Sequence, residues 1–388
     1  MQNTGYFNEQ NCDIGEFRQF AKRLTPQDDV RQASDISHNV PIYDMRQLGT
    51  SLNDPQSRQT LMSEWAHVLR NGAGVIVLKH AYADTRVIDA ATKVYADIIE
   101  QEKRANDSGA DHFAASGAND RIWNSLQKLC EAAPGVFLGY FANTAIEAAC
   151  EAWLGPNYQM TAQINLVHPG GAAQLTHRDF HLGFQTAERS AQFPAHVHDL
   201  SPALTLQGAV AHCDMPVESG PTKLLPFSQL YRPGYVAWRR DDFRAVFEKH
   251  CVQLPLQKGD VLFFNPALFH AAGSNVSTDI HRMANLLQVS SAFGRAMETI
   301  DRAKMSALTY PHALNAYRKG TIDHDNLKAA IASCAEGYSF PTNLDRDPPK
   351  NGLAPETQQE LYWRALSEDL SLAAFEAALS AQSERQSA

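Results

Sequence analysis

The sequence predicts an α+β protein with an antiparallel β sandwich or barrel in mid-chain and helices on both sides of it. Three observations carry this. From Tyr158 to about Phe293, short runs of alternating polarity are separated by turn residues. Before and after that stretch, apolar residues recur at three- and four-residue steps instead. Strands and helices do not alternate as parallel βαβ units would require. The expected organisation is an N-terminal arm over 1–40, a helical part over 41–157 that packs on the core, the β core over 158–295 and a C-terminal helical extension over 296–388, making one domain overall.

The arm is rich in Gln, Asn and Asp, so its order depends on docking elsewhere. From Asp54 the pattern is helical through Leu61, Trp65, Val68 and Leu69, and Asn71-Gly72 closes it. A short apolar strand over 75–78 follows. Asp84 then caps a helix whose stripe runs through Val87, Ile88, Ala91, Val94, Ile98 and Ile99. Gly, Ala, Ser and Asp crowd 107–119, a loop and a lid candidate. Helical periodicity resumes over 122–153 and stops at Gly155-Pro156. The expected strands are 159–167, 203–214, 223–226, 261–264 and 283–289. Helices over 297–305, 325–334 and 356–380 complete the chain, with a Pro-rich segment at 345–349.

Composition excludes several classes. Among 388 residues, 44% are hydrophobic and 20% charged, values of an ordinary globular protein. The formal charge of −9 repels phosphate backbones, so nucleic acid is disfavoured as a partner. The start of the chain lacks a basic stretch followed by an apolar run, and no window reaches the roughly 18 apolar residues of a membrane span. A cytoplasmic protein without membrane partners is expected. The six cysteines are scattered with no C-x-x-C spacing, which argues against zinc ribbons and a disulfide framework.

The chemistry-bearing residues begin with His177-Arg178-Asp179. On a strand, residues two apart share a face, so both side chains can meet one metal ion. A distant third ligand such as His270 would complete two His and one carboxylate, the set of non-heme Fe(II) oxygenases, with positions left open for oxygen. The spacing alone is a weak signal, because a second pair, His212-Cys213-Asp214, has the same form. Context separates them. The first follows the turn Pro169-Gly170-Gly171, whereas the second ends a strand and runs into a Pro- and Gly-containing connection, which favours a structural role.

With these residues in view, the stretch from about 158 to 290 resembles the phytanoyl-CoA dioxygenase family of Fe(II)/2-oxoglutarate oxygenases. Four landmarks appear in order: His177-x-Asp179, the segment from Glu218-Ser219-Gly220-Pro221 to Pro226-Phe227-Ser228-Gln229, the Gly259-Asp260 strand leading to His270, and Arg282. The resemblance implies a double-stranded β-helix (jelly-roll, cupin-like) core. It implies Fe(II), 2-oxoglutarate as cosubstrate and O2, a small-molecule substrate, and hydroxylation or desaturation with release of succinate and CO2. By the same resemblance His177, Asp179 and His270 would be the catalytic metal ligands, and Arg282 would pair with the distal carboxylate of 2-oxoglutarate. A planar guanidinium suits that task because it meets a carboxylate with two parallel charged hydrogen bonds. Gln163, Asn165 and Gln174 are further cosubstrate candidates. Arg121, Trp123 and His181 are substrate candidates, with a capped helix start as the other reading of Arg121 and Trp123.

The chain departs from the family pattern at Phe227-Ser228-Gln229, where many members have Gly-Ser-His, and at Ala272, where a hydroxyl often assists the cosubstrate. The retained Asp179 favours oxidation over halogenation, since related halogenases vacate that position. Two other readings stay open: a non-catalytic metal- or ligand-binding β-helix, and a cupin-type metalloenzyme that does not use 2-oxoglutarate. The long helical extensions suggest an enclosed pocket or a homo-oligomer interface.

Overall fold

A computed structural model describes residues 5–105, 118–349 and 351–387. Among them are ten strands: β1 (Asp35–Ser37), β2 (Val40–Asp44), β3 (Val75–Lys79), β4 (Asn119–Ile122), β5 (Gln159–Val167), β6 (Thr205–Ala211), β7 (Lys223–Leu224), β8 (Val261–Phe264), β9 (His270–Ala271) and β10 (Arg282–Ser290). Eight form one sheet in the order β1-β2-β3-β8-β6-β10-β5-β4, and β7 pairs with β9 in a second. All pairings are antiparallel except β2 with β3. Helices pack on this jelly-roll from both ends of the sequence.

The helix Pro55–Asn71 starts where expected, with the Asp54 carboxylate capping Ser57 N–H and Pro55 in the first turn, and it buries Leu61, Trp65, Val68 and Leu69. The next helix is Arg86–Arg104, so Asp84 lies two residues outside it and accepts from the Arg86 N–H instead. Three expected segments need correction. Ile122 belongs to β4, and helices occupy only Ser125–Ala132, Pro134–Phe141 and Thr144–Leu154 of that stretch. A four-residue strand is too short for its alternation to stand out from helical periodicity. The helix expected over 297–305 begins at Arg302, where the Asp301 side chain caps Lys304 N–H, and runs to Lys319. The segment 356–380 divides into Gln358–Ser367 and Leu372–Gln386, each with its own hydroxyl cap. The lid candidate at 107–119 falls largely outside the described residues, apart from Asn119 in β4.

One apolar cluster extends from Val30 to Leu379, so the barrel and the C-terminal helices share a core. A smaller cluster seats Phe17 of the N-terminal arm against Tyr231, Phe243 and Phe269. Burying Phe17 contributes about 2–3 kcal/mol by transfer from water. Phe17 also packs against Phe269, the neighbour of His270. No described helix is long and apolar enough to cross a membrane.

Candidate metal centre

Register decides which side chains share the barrel interior, since directly paired residues project to the same face. On β5, Thr161, Gln163 and Asn165 oppose Gln288, Leu286 and Ala284 of β10. The same β10 residues oppose Gln207, Ala209 and Ala211 of β6, and Arg121 of β4 opposes Asn165. Mid-strand Ala284 and Leu286 are only partly buried although strands flank them on both sides, so they border open space. Arg282 heads the same row of β10.

His177 and His270 face each other in an isolated antiparallel bridge, with His177 N–H donating to the His270 carbonyl at 3.0 Å and the return bond at 3.2 Å. Each Nδ1 lies against a backbone carbonyl, Leu175 O at 2.9 Å and Leu268 O at 2.8 Å respectively. A carbonyl can only accept, so each Nδ1 carries hydrogen and each Nε2 keeps its lone pair for a metal. Those two Nε2 atoms lie 3.6 Å from Asp179 Oδ1 and 3.3 Å from Asp179 Oδ2. One ligand atom from each of the three residues falls within 4.8 Å of the others. Two imidazole nitrogens and one carboxylate at this separation fit a first-row divalent ion with open positions.

The electrostatics are those of a coupled buried cluster. Burial opposes charge on Asp179, but His177 and His270 outweigh it and hold the carboxyl well below its ordinary range. Burial also opposes the His177 imidazolium, and Asp179 reverses this to a net upward shift. His270 moves down through burial and the neighbouring His177.

Residues around His177, Asp179 and His270 hold them in place. Gln207 Nε2 donates to Asp179 Oδ2 at 2.6 Å, and Tyr235 donates to the Asp179 carbonyl at 3.3 Å. The Phe264 ring packs 4.7 Å from that of His270. Arg178 points away from the centre, where its Nη2 donates to Ser228 O at 2.6 Å and Tyr231 O at 2.9 Å between the rings of Tyr235 and Phe269. Burial lowers its guanidinium to about 10. Gly234 is required beside it, because a Cβ there would lie 2.0 Å from Arg178 Cζ.

The expected cosubstrate residues fare differently. Arg282 is buried, donates to Ser219 O at 3.1 Å and Gly273 O at 3.4 Å, and has no carboxylate within 4 Å among the described residues. Burial depresses it to about 10. Asn165 is buried on the interior face with Oδ1 unpartnered among the described residues. Gln163 is engaged by Arg121 at 3.3 Å and by Glu298 at 3.5 Å. The Gln174 side chain accepts from Ala272 N–H at 3.4 Å and so occupies the surroundings of the missing hydroxyl.

Arg121 lies on a strand, its guanidinium 5.0 Å from the Trp123 ring, and the helix begins only at Ser125, so the capped-helix reading of this pair is set aside. His181 follows Phe180, and both have positive φ, 44° and 60°, immediately after Asp179. Such backbone is strained for side chains of this size.

His212 has the parity opposite to Ala211 and packs behind the sheet, with Nδ1 on Thr92 at 2.8 Å and Nε2 on Tyr140 at 2.8 Å. Both nitrogens are consumed, and burial pushes its pKa down to about 3. Asp214 caps a turn through Lys258 N–H. This pair is structural, as its context predicted. His196 and His198 lie on the helix Ala195–Ala203, where residues two apart diverge, and His198 is bonded to Ser190 O. Gln207 and Trp238, whose ring lies 6.5 Å from His177, escaped the sequence reading. Nothing local in the sequence indicates Asp179 as the partner of Gln207.

A jelly-roll that gathers two histidines and a carboxylate at one point defines the class of mononuclear non-heme iron proteins. The chain belongs to the phytanoyl-CoA dioxygenase (PhyH) family, whose model matches residues 58–284. The cofactors of that family are Fe(II) and 2-oxoglutarate. The dioxygenase andF of Emericella variicolor is 27% identical over 141 residues, 35% of this chain and 44% of that protein, so the chain spans less than half the length of the curated relative it matches. Similar solved structures include the non-heme alpha-ketoglutarate-dependent carbocyclase SnoK from nogalamycin biosynthesis, at 21% identity and a TM-score of 0.43 over 61% of this chain and 86% of that one. The epimerase SnoN, solved with Fe3+, alpha-ketoglutarate and nogalamycin RO, gives 19% identity and a TM-score of 0.40 over 65% and 90%.

Proposed function

We propose that the protein is an Fe(II)- and 2-oxoglutarate-dependent dioxygenase that oxidises an unactivated C–H bond of a small-molecule metabolite. In the hydroxylation case, substrate, O2 and 2-oxoglutarate become the alcohol, succinate and CO2; desaturation would form an alkene and water in place of the alcohol, with the same release of succinate and CO2. His177 Nε2, His270 Nε2 and Asp179 would hold the iron, and Arg282 the far carboxylate of 2-oxoglutarate, with Asn165 beside it. The observation that carries this reading is the convergence of those three donor atoms inside a barrel that also buries Arg282 without a carboxylate partner among the described residues.

The metal and cosubstrate together supply the oxidising power of O2, coupled to decarboxylation. The chain contributes position and shelter. Backbone carbonyls keep both imidazoles in the ligating tautomer, Gln207 fixes the plane of Asp179, and Phe264 shields His270 from water. Arg282, desolvated among carbonyls, gains a charge partner when a dicarboxylate arrives. Ala284 and Leu286, only partly buried in the row that Arg282 heads, border open space that such a dicarboxylate could enter.

The test is succinate release with Fe(II), 2-oxoglutarate and a metabolite panel. Turnover that disappears in His177→Ala and Asp179→Ala supports the reading. Protein that binds iron and 2-oxoglutarate yet forms no succinate with any member of a broad panel, while a related oxygenase does in the same assay, would sink it.

A further inference from the structure

Beside the metal centre lies a cationic group that the chemistry above does not use. Four arginines occur between residues 232 and 244. Arg232 has Asp199 at 2.6 Å, Arg240 has Asp242 at 2.6 Å and Arg244 has Asp241 at 3.6 Å. Arg239 has no carboxylate within 4 Å among the described residues, although the chain carries a net charge of −9. Its guanidinium carbon sits 3.8 Å from the centre of the Trp238 ring. That ring in turn lies edge-on to His177, 6.5 Å away, so Arg239 is no farther from this ligand than the sum of the two separations.

Two donors of this pair, Trp238 Nε1 and Arg239 Nη1, are buried without a hydrogen-bond partner among the described residues. Buried donors normally find acceptors. The electrostatics point the same way. Partial burial lowers the Arg239 pKa and the like charge of Arg244 lowers it further, whereas Glu188 and Glu9 act in the opposite direction without coming within ion-pair distance. Both Trp238 and Arg239 keep part of their surface open to solvent. An open cation with an unmatched N–H, stacked on an aromatic ring next to a metal ligand, is suited to an acceptor-only, negatively charged group.

We propose, on the basis of the oxygenase reading above, that Trp238 and Arg239 recognise an oxyanion on the primary substrate. The substrate class is then a small molecule whose end remote from the oxidised carbon bears a carboxylate or a phosphate-like group. Arg239 contributes the charge and the planar fork, and Trp238 fixes the fork by stacking and adds an N–H.

Inorganic phosphate serves as the probe. Protein loaded with Mn(II) and saturating 2-oxoglutarate is titrated with phosphate while the 31P relaxation rate is read, because enhancement requires phosphate to bind near the metal. The expected result is a saturable enhancement in the parent protein that weakens with added chloride, falls about tenfold or more in affinity in Arg239→Gln, recovers in part in Arg239→Lys and persists in Arg232→Gln. Mn(II) and 2-oxoglutarate affinities measured on the same samples report folding. Parent protein that binds both but gives no saturable enhancement overturns the anion site alone, as does an Arg239→Gln variant that titrates like the parent. Parent protein that binds neither Mn(II) nor 2-oxoglutarate overturns the oxygenase reading and this inference with it.

Discussion

Replacing Gln207 by Leu removes the amide that donates to Asp179 Oδ2 while keeping similar bulk on the interior face of β6. The 2.6 Å separation and the ionised, partly buried carboxylate make this a charge-assisted hydrogen bond. Such a bond contributes about 1.5–3 kcal/mol, and near 1.4 kcal/mol per decade this becomes roughly 10- to 150-fold in Fe(II) affinity. That range agrees with the roughly 10- to 100-fold cost of losing a residue that orients a metal ligand. The orientation of the amide is not ambiguous, because a carboxylate can only accept and therefore faces Nε2. The assay is an anaerobic Fe(II) titration of Gln207→Leu, with melting temperature as the folding control. An Fe(II) dissociation constant within twofold of the parent, in protein of unchanged stability, would refute the idea that Gln207 positions Asp179.

Arg282→Ala should raise KM for 2-oxoglutarate about a hundredfold or more, since one half of a buried ion pair is lost, and Arg282→Lys should recover only part; steady-state kinetics against 2-oxoglutarate check this. Gly234→Ala should cost about 3 kcal/mol or more in chemical denaturation, because the new Cβ would lie 2.0 Å from Arg178 Cζ and would unseat a buried cation. His212, lowered to about 3 in the folded chain against about 6.5 unfolded, is neutral and costs nothing above pH 6.5. As pH falls from 6.5 towards 3 the unfolded state takes up the proton first, so stability drops by about 1.4 kcal/mol per pH unit, and His212→Gln should remove one proton from that slope in urea titrations.

Much of the architecture could be read along the chain. The strands at 159–167 and 261–264 match the observed bounds, because alternation over an unbroken run is a local signal. Local signals failed where elements are short or adjoin a stronger pattern. Ile122 reads as part of the following helical periodicity, and Met297 and Ile300 imitate the helical stripe before the Asp301 cap, so the pattern alone starts that helix too early.

What the sequence by itself determined was the inventory: a β core between helical flanks, a His-x-Asp pair, a later His and an Arg of the type that grips carboxylates. These follow from residue chemistry and short-range spacing, which the chain carries wherever it folds. Only the tertiary structure decided which atoms meet. The Nδ1 bonds to Leu175 and Leu268 turn His177 and His270 towards Asp179, whereas Thr92 and Tyr140 consume both nitrogens of His212. Register turns Gln207 to the inward face of β6, and packing brings Asp179 to it and Trp238 to His177. Register and packing join residues tens of positions apart, and a one-residue shift in the pairing of β6 would turn Gln207 to the other face.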